Sequence, residues 1–266
     1  MNLLESIGAS VVDQLAYVGG LTNQWVRGMT VLARVLPFGG TRGRWQAAIR
    51  QMYAIGVSAV PMVAVVAACA GFILAIQSAS ALNQFGAVQL AVNIIVIAFT
   101  KELGPLLTAT VVSGRSGSAF SAEIGSMVVT EEIDALRTMA IDPIELVLAP
   151  KLIAAVIVVP CLTIMSSVFG IMAGAGFMFL KAHMSLNVYC QYALEAITLG
   201  DAFTGLLKSL VFSTIIVHVG CIEGFKVAGG PESVGRSATS AVVTSTLLVI
   251  LADLLITSAF YLTGMN

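Results

Sequence analysis

Charged residues are scarce in this sequence. Asp, Glu, Lys and Arg make up 10% of its 266 residues, whereas 58% are hydrophobic. A soluble domain normally carries about 25% charged residues. Neither Gln51–Thr100 nor Leu152–Leu180 contains a single charge, and about 20 apolar residues are enough to cross a bilayer as a helix. The composition therefore predicts an all-α integral membrane protein rather than a soluble domain.

Several kinds of site are also missing. The four cysteines form no CxxC pair and no ligand spacing with histidine, so we predict no redox or metal chemistry. There is no Gly-Lys dipeptide and hence no P-loop, so any ATP would be bound by a separate protein. The net charge of −1 with no basic run argues against nucleic acid as a partner. The acidic N-terminal segment has no basic residue, which argues against a cleaved signal peptide. We predict no catalytic residue and no cofactor.

Five apolar segments separated by polar connections predict five transmembrane helices. Before them, apolar residues at helical spacing are interrupted by charges, which is typical of an amphipathic helix in the membrane interface. We expect one domain over 1–266: the interfacial helix and cytoplasmic approach (1–50), two spans (51–112), a polar cytoplasmic region (113–151) and three spans (152–266). The predicted spans are Ala54–Ser80, Ala87–Val112, Leu152–Leu180, Phe203–Phe225 and Ser237–Leu262.

Basic residues are unequally divided between the two sides of these spans. Ten Lys and Arg residues fall in the N-terminal region and in the second and fourth connections, whereas only Lys181 falls on the other side. Lys and Arg accumulate in cytoplasmic loops. We therefore expect a cytoplasmic N-terminus and a C-terminus on the opposite face of the membrane.

The polar region between the second and third spans, from Gly114 to Pro150, holds six of the fourteen carboxylates. We predict a helix over about Ala119–Met139 that ends near Ala140, followed by a new helix capped by Asp142. An acidic, helix-forming region on one face of a membrane protein favours a docking site for a partner, although a solvated loop helix is the alternative. The predicted contact residues are an apolar edge, Ile133, Leu136 and Met139, and the acidic residues Glu131, Glu132 and Asp134.

Ionisable residues also fall inside the predicted spans, at a cost of about 2.5–3.5 kcal/mol each on insertion scales. Asp253 is within reach of the side chain of either Lys101 or Lys208. Such an ion pair would either take part in function or hold the helices together. Pro105 removes a helical hydrogen bond from the carbonyl of residue 101, beside Glu102. The remaining member is His218, which is either a packing residue or a proton relay. A serine-protease pair of His218 with Ser116 is not expected, because Ser116 lies beyond the cytoplasmic end of its span and His218 lies inside the membrane.

The residues just described closely resemble the MlaE (YrbE) family of ABC-transporter permeases over essentially the whole chain. The resemblance rests on Lys101-Glu102-Leu103-Gly104-Pro105, Gly114-Arg115-Ser116-Gly117-Ser118-Ala119, Ala122-Glu123-Ile124-Gly125, Glu131-Glu132-Ile133-Asp134-Ala135-Leu136 with Met139, and Asp142-Pro143. The sequence departs from many relatives at Lys101, where arginine is common, and at Glu132, where glutamine is common. Lysine lacks the bidentate phosphate recognition of arginine.

The resemblance implies a homodimeric permease of the bacterial inner membrane, or of the plastid inner envelope, that moves phospholipid or another lipid between membranes. It implies a cytoplasmic ATPase dimer that grips the acidic region as a coupling helix and itself binds the ATP. It further implies an MCE-domain oligomer on the periplasmic face. The implied lipid-lining residues are Leu74, Gln77, Leu82, Phe85 and Leu103, with Lys101 and Glu102 below them.

Two other functional classes stay open at this point. An ion-coupled secondary transporter would use Lys101, Glu102 and Asp253 as its coupling site, but the sequence shows no internal repeat of the kind that supports this. A non-transporting membrane scaffold would need neither buried charges nor a coupling helix.

Overall fold

The computed structural model describes residues 42–181 and 184–263, together with Gly19 and Thr30. Every regular element in these ranges is helical, as the composition predicts. The expected interfacial helix before residue 42 lies outside the described residues. Between Arg42 and Thr263, five helical stretches are long and apolar enough to cross a membrane, and the predicted number of spans is thereby confirmed.

The five spans are longer than the sequence predicts. They cover Trp45–Asn83, Leu90–Val129, Ile144–Lys181, Leu199–Phe225 and Pro231–Thr263. A short helix, Leu186–Ala196, joins the third span to the fourth, and its N-cap Ser185 accepts a hydrogen bond from the amide of Val188.

Within these spans the regular α-helices are interrupted by π-helical turns. The α-helices are α1 Arg42–Met52, α2 Val60–Asn83, α3 Leu90–Ala98, α4 Gly104–Val112, α5 Ser118–Val129, α6 Glu132–Thr138, α7 Ala149–Lys181, α8 Leu186–Ala196, α9 Leu199–Phe225 and α10 Pro231–Thr263. The π-helical turns are π1 Tyr53–Val57, π2 Phe99–Leu103, π3 Ser113–Gly117 and π4 Ile144–Leu148.

The helix of the second span does not end at residue 112, where the sequence predicts the division between the span and the polar region. The helix continues through π3 and α5 to Val129, because this stretch keeps a buried face that includes Phe120 and Ile124. That face packs against α9 and α10. Glycine and serine suit it since they let helices approach closely. The first part of the polar region is therefore a packed helix, and the stretch that leaves it begins at Thr130.

The predicted helix over Ala119–Met139 is broken in two. Glu131 adopts a left-handed conformation with φ of 60° and separates α5 from α6. Ala140 has φ of 58°, so the predicted helix end near this residue is confirmed. The new helix that follows is capped as expected, since the amide of Ile144 donates to the Asp142 carboxylate at 2.9 Å.

Small residues set the closest helix crossing. A Cβ at Gly71 of α2 would overlap the backbone of Gly170 in α7, and a Cβ at Gly170 would overlap the ring of Phe99. This close approach at Gly170 is made within one chain. It brings π2, with its charged residues, against the third span.

Candidate functional site

Lys208 is a buried cation at the centre of a group of charges where three spans meet. Its side chain is 0% exposed, and its ammonium group is 2.8 Å from the carboxylate of Asp253 in α10. It also donates to Glu102 of π2 and, at 2.7 Å, to the hydroxyl of Thr257. Thr257 in turn donates to the second oxygen of Glu102 at 3.2 Å. A single cation therefore links the second, fourth and fifth spans.

Lys101 has a different partner. Its ammonium group is 2.8 Å from the carboxylate of Asp201 in the first turn of α9. Of the two lysines proposed for Asp253, Lys208 is therefore the partner and Lys101 is not. We call these five residues, Lys101, Glu102, Asp201, Lys208 and Asp253, the ion cluster. Its three carboxylates and two lysines carry a formal net charge of −1.

The turn π2 positions the two charged residues of the second span. The amide of Gly104 bonds to the carbonyl of Phe99, five residues earlier, and Pro105 has no amide to offer the carbonyl of residue 101. The hydroxyl of Ser167 also donates to the Phe99 carbonyl at 3.0 Å. Single π-helical turns of this kind are frequent at functional sites.

Gly205 allows α9 to approach this turn. A Cβ at position 205 would overlap the carbonyl oxygen of Thr100, so only glycine permits the observed contact. Gly205 lies between Asp201 and Lys208, one turn from each along α9. The close approach therefore holds both residues of α9 within reach of their partners on π2.

Asp201 was missed by the sequence reasoning because it falls at the beginning of the fourth span, outside its predicted limits. A signal was present in its spacing. Asp201 and Lys208 are seven residues apart, which places them on one face of a helix two turns apart. If this face of the fourth span packs against Lys101 and Glu102 of the second span, each acid can pair with a lysine of the other span. The spacing therefore predicts the pairs Asp201–Lys101 and Lys208–Glu102.

His218 and Ser116 are both buried but take no part in the ion cluster. The Nδ1 atom of His218 lies 2.7 Å from the carbonyl of Thr214, one turn earlier in its own helix. In the described part of the chain no hydrogen bond joins Ser116 to His218. This geometry suits a packing histidine and gives no support to a serine protease.

The acidic turn, which we define as residues 130–142, lies between the second and third spans. Glu131, Glu132 and Asp134 are exposed, and the carboxylate of Asp134 pairs with Arg137 at 2.9 Å on the surface. Met139 is 60% exposed and Leu136 is half-buried. Carboxylates and a flexible apolar side chain are thus presented together at one end of the molecule.

Ile133 does not belong to the exposed apolar edge predicted for the acidic turn. Only 3% of it is accessible, so it packs within its own chain. The left-handed residue Glu131 reorients α6 relative to α5, and a regular helical projection from α5 therefore assigns the wrong face to Ile133. The apolar surface left for a partner is formed by Leu136 and Met139.

A buried lysine joins the two helices that flank the acidic turn, a contact that the sequence reasoning also missed. Lys151, at the beginning of α7, is 2% exposed, and its ammonium group is 2.8 Å from Glu123 of α5. It also lies 5.4 Å from the centre of the Phe120 ring, within range of a cation–π interaction. We call the Lys151–Glu123 pair the strap, because it holds both ends of the acidic turn together.

The residues proposed to line a lipid cavity are not gathered around one space in the single chain. Leu74, Leu82 and Leu103 are partly buried against the core near Phe99, whereas Phe85 is 80% exposed. Gln77 is exposed, and Lys101 and Glu102 belong to the ion cluster. Their role in binding lipid stays a prediction.

The fold and the charged sites define a multi-pass helical membrane protein with buried ion pairs and an exposed acidic turn. Residues 48–259 match the family model described as Permease MlaE. A probable ABC transporter permease protein of Rickettsia typhi is 37% identical over 213 residues, which is 80% of this chain and 82% of that protein. A probable ABC transporter permease protein of Synechocystis is 37% identical over 207 residues, 77% of this chain and 78% of its own length. The chloroplastic protein TRIGALACTOSYLDIACYLGLYCEROL 1 of Arabidopsis thaliana is 32% identical over 217 residues, 82% of this chain and 62% of the relative.

These similarities identify the class of protein as an ABC transporter permease. The chain belongs to the MlaE permease family, because the family model covers most of its length. A permease of this class works with an ATPase, and the relatives are permease components rather than enzymes. The family assignment supports an ABC transporter permease over the two alternatives raised by the sequence, an ion-coupled secondary transporter and a scaffold.

Proposed function

We propose that this permease moves phospholipid, or a related lipid, between the inner and outer membranes of a bacterial envelope. The observation that carries the proposal is membership of the MlaE family together with an exposed acidic turn between two spans. The name of the Arabidopsis relative is that of a galactolipid, which supports a lipid cargo. Two copies of the chain form the permease, and a periplasmic MCE-domain oligomer exchanges lipid with it.

A separate ATPase dimer drives the permease through the acidic turn. Leu136 and Met139 supply a small apolar contact, and the surrounding carboxylates meet basic or amide groups at its rim, as interfaces commonly arrange. The strap passes movement of the turn to both flanking spans, because Glu123 belongs to the second and Lys151 to the third. The second span carries π2, so the movement reaches the ion cluster.

Reconstitution tests this proposal. The purified chain alone in phospholipid vesicles should hydrolyse no ATP, whereas the chain with its ATPase and MCE protein should transfer fluorescent phospholipid to acceptor vesicles only when ATP is present. ATP hydrolysis by the isolated chain, or lipid transfer of equal rate without ATP, would contradict it.

Topology is tested separately with a cysteine at Thr138, which is exposed on α6. The four native cysteines are first replaced by alanine, because three of them are exposed. We expect an impermeant thiol reagent to label the new cysteine only after the inner membrane is disrupted. Labelling of intact spheroplasts would place the acidic turn on the periplasmic side.

A further inference from the structure

A groove lies at the end of the molecule opposite the acidic turn. The first and third spans end there, and the second span begins there. Its volume is about 740 Å³, within the range of pockets that hold small molecules. The lining residues are Ala79, Ser80, Asn83, Val88, Gln89, Phe177, Lys181, Met184, Ser185 and Val188.

The lining combines hydrogen-bonding side chains with an apolar wall. Asn83 and Gln89 bring amide groups that can donate hydrogen bonds, and Met184 adds an adaptable apolar surface. Phe177 packs edge-to-face on Phe72 of α2, with ring centroids 5.4 Å apart, which fixes that side of the groove. This mixed surface lies at the ends of spans, where a membrane-spanning helix meets the headgroup region.

The charge of the groove has one sign. Among the described residues of the segments that form it, 79–89, 177–181 and 184–188, Lys181 is the only Lys, Arg, Asp or Glu. The described residues place no carboxylate within ion-pair distance of its ammonium group. Its side chain is exposed. The groove therefore offers a cation without a counter-charge, beside neutral donors and apolar groups.

We propose that this groove binds the phosphate-bearing headgroup of a membrane phospholipid. The ammonium group of Lys181 and the amide groups of Asn83 and Gln89 bind the phosphate oxygens, and Phe177 and Met184 contact the first methylene groups of the acyl chains. An anionic headgroup fits the uncompensated cation, and a diacyl chain fits the apolar wall. The ion cluster uses none of these residues, so the groove is a second, separate site, and it binds lipid whether or not that lipid is the transported cargo.

The test measures lipid binding by native mass spectrometry of the full chain in detergent. Dioleoyl phosphatidylglycerol should bind more tightly than dioleoylglycerol, which has the same acyl chains but no phosphate. Lys181→Gln should weaken phosphatidylglycerol binding about tenfold, as expected for the loss of a hydrogen bond to a charged group, and leave dioleoylglycerol unchanged. Lys181→Arg should restore most of the affinity.

Lys226→Gln is the matched control, because Lys226 also lies at a helix end but its ammonium group is 3.7 Å from Glu223. It should bind phosphatidylglycerol as the parent does. Ser80→Trp fills the groove without changing charge and should weaken binding of both lipids. Equal binding by the parent and Lys181→Gln, or equal losses for Lys181→Gln and Lys226→Gln, would overturn the proposal.

Competition with soluble glycerophosphate distinguishes a site for lipid from a site for free phosphate. We expect it to compete with phosphatidylglycerol only weakly, because it lacks the acyl chains. Competition as strong as that of the lipid itself would contradict a headgroup site. If phosphatidylglycerol binding depends on Lys181 while ATP-driven transfer is absent, the groove is retained and the transport function is refuted. If ATP-driven transfer occurs while phosphatidylglycerol binding does not depend on Lys181, the transport function is retained and the groove proposal is refuted.

Discussion

The ion cluster and the acidic turn are both rich in carboxylates, but their counter-charges lie in different places. In the ion cluster, Lys208 is 0% exposed and contacts carboxylates from two other spans of the same chain. In the acidic turn, the Asp134–Arg137 pair has side chains that are 68% and 64% exposed, and Glu131 and Glu132 face outward. The carboxylates of the ion cluster therefore find their counter-charges within the chain, whereas most carboxylates of the acidic turn are exposed on the surface of the protein.

This difference indicates two kinds of role. A buried charge that loses its partner is strongly destabilising, whereas an exposed pair contributes about 0–1 kcal/mol. We infer that the ion cluster holds three spans in register and that the acidic turn contributes little to folding. Substitutions in the first region should change stability, and substitutions in the second should change partner binding.

The largest effect is expected for Lys208→Met, which leaves Glu102 and Asp253 facing each other without their shared cation. Loss of one member of a buried pair costs about 3–5 kcal/mol, so the yield of folded protein and the thermal unfolding midpoint in detergent should fall sharply. Adding Glu102→Gln and Asp253→Asn should recover much of the loss. A variant Lys208→Met as stable as the parent would remove the basis for the comparison.

Variants of the ion cluster also test which of the two lysines, Lys101 or Lys208, pairs with Asp253. In the double variant Glu102→Gln/Asp253→Asn, the ammonium group of Lys208 has lost both carboxylates, so adding Lys208→Met should recover part of the lost stability. Adding Lys101→Met instead should not, since Lys101 pairs with Asp201 at 2.8 Å. Unfolding midpoints of the two triple variants decide between these partners, and rescue by Lys101→Met alone would show that the pairing is misassigned.

A smaller effect is expected for Gly205→Ala. Its methyl group would overlap the carbonyl of Thr100 and push α9 away from π2, at a cost of about 1–3 kcal/mol for overpacking. Gly200→Ala in the same helix is the control, because its nearest new neighbour would be Thr198 Oγ1 at 3.7 Å. Unfolding midpoints measure both, and equal values would mean that the close approach does not position the ion cluster.

The strap combines a buried charge with an exposed one in a single ion pair, so it allows the two kinds of charge to be compared directly. Glu123→Gln leaves the ammonium group of Lys151, 2% exposed, without its counter-charge, whereas Lys151→Met leaves Glu123, 50% exposed, in contact with water. We expect Glu123→Gln to cost about 1–3 kcal/mol and Lys151→Met to cost less. If Lys151→Met has the lower unfolding midpoint, packing rather than charge decides the role of the strap.

The sequence was sufficient to predict the five spans, the helix end near Ala140 and the cap at Asp142, because these follow from local hydropathy and turn chemistry. Local patterns could not predict that the second span reaches Val129. That extension depends on the packing of Phe120 and Ile124 against α9 and α10, and the sequence alone does not show which helices are neighbours.

Site residues were predicted to the extent that their chemistry is local. Charges at Lys101, Glu102, Lys208 and Asp253 stand out in apolar spans, but choosing Lys208 as the partner of Asp253 required the helix packing. The burial of Ile133 could not be predicted, because a single left-handed residue, Glu131, changes the direction of α6. Such a conformation in a residue other than glycine has no reliable sequence signal.

The most direct test of the central claim, that a separate ATPase drives this permease through the acidic turn, uses Met139→Asp. Met139 is 60% exposed, so the unfolding midpoint should stay close to that of the parent, within about 0.5 kcal/mol in stability. The measurement is the amount of ATPase that co-purifies with the variant, together with ATP-dependent phospholipid transfer. Arg137→Ala is the control, and it should retain most of both. We predict that Met139→Asp loses both ATPase binding and transfer while remaining folded; a stable variant that binds the ATPase and transfers lipid as the parent does would contradict the account.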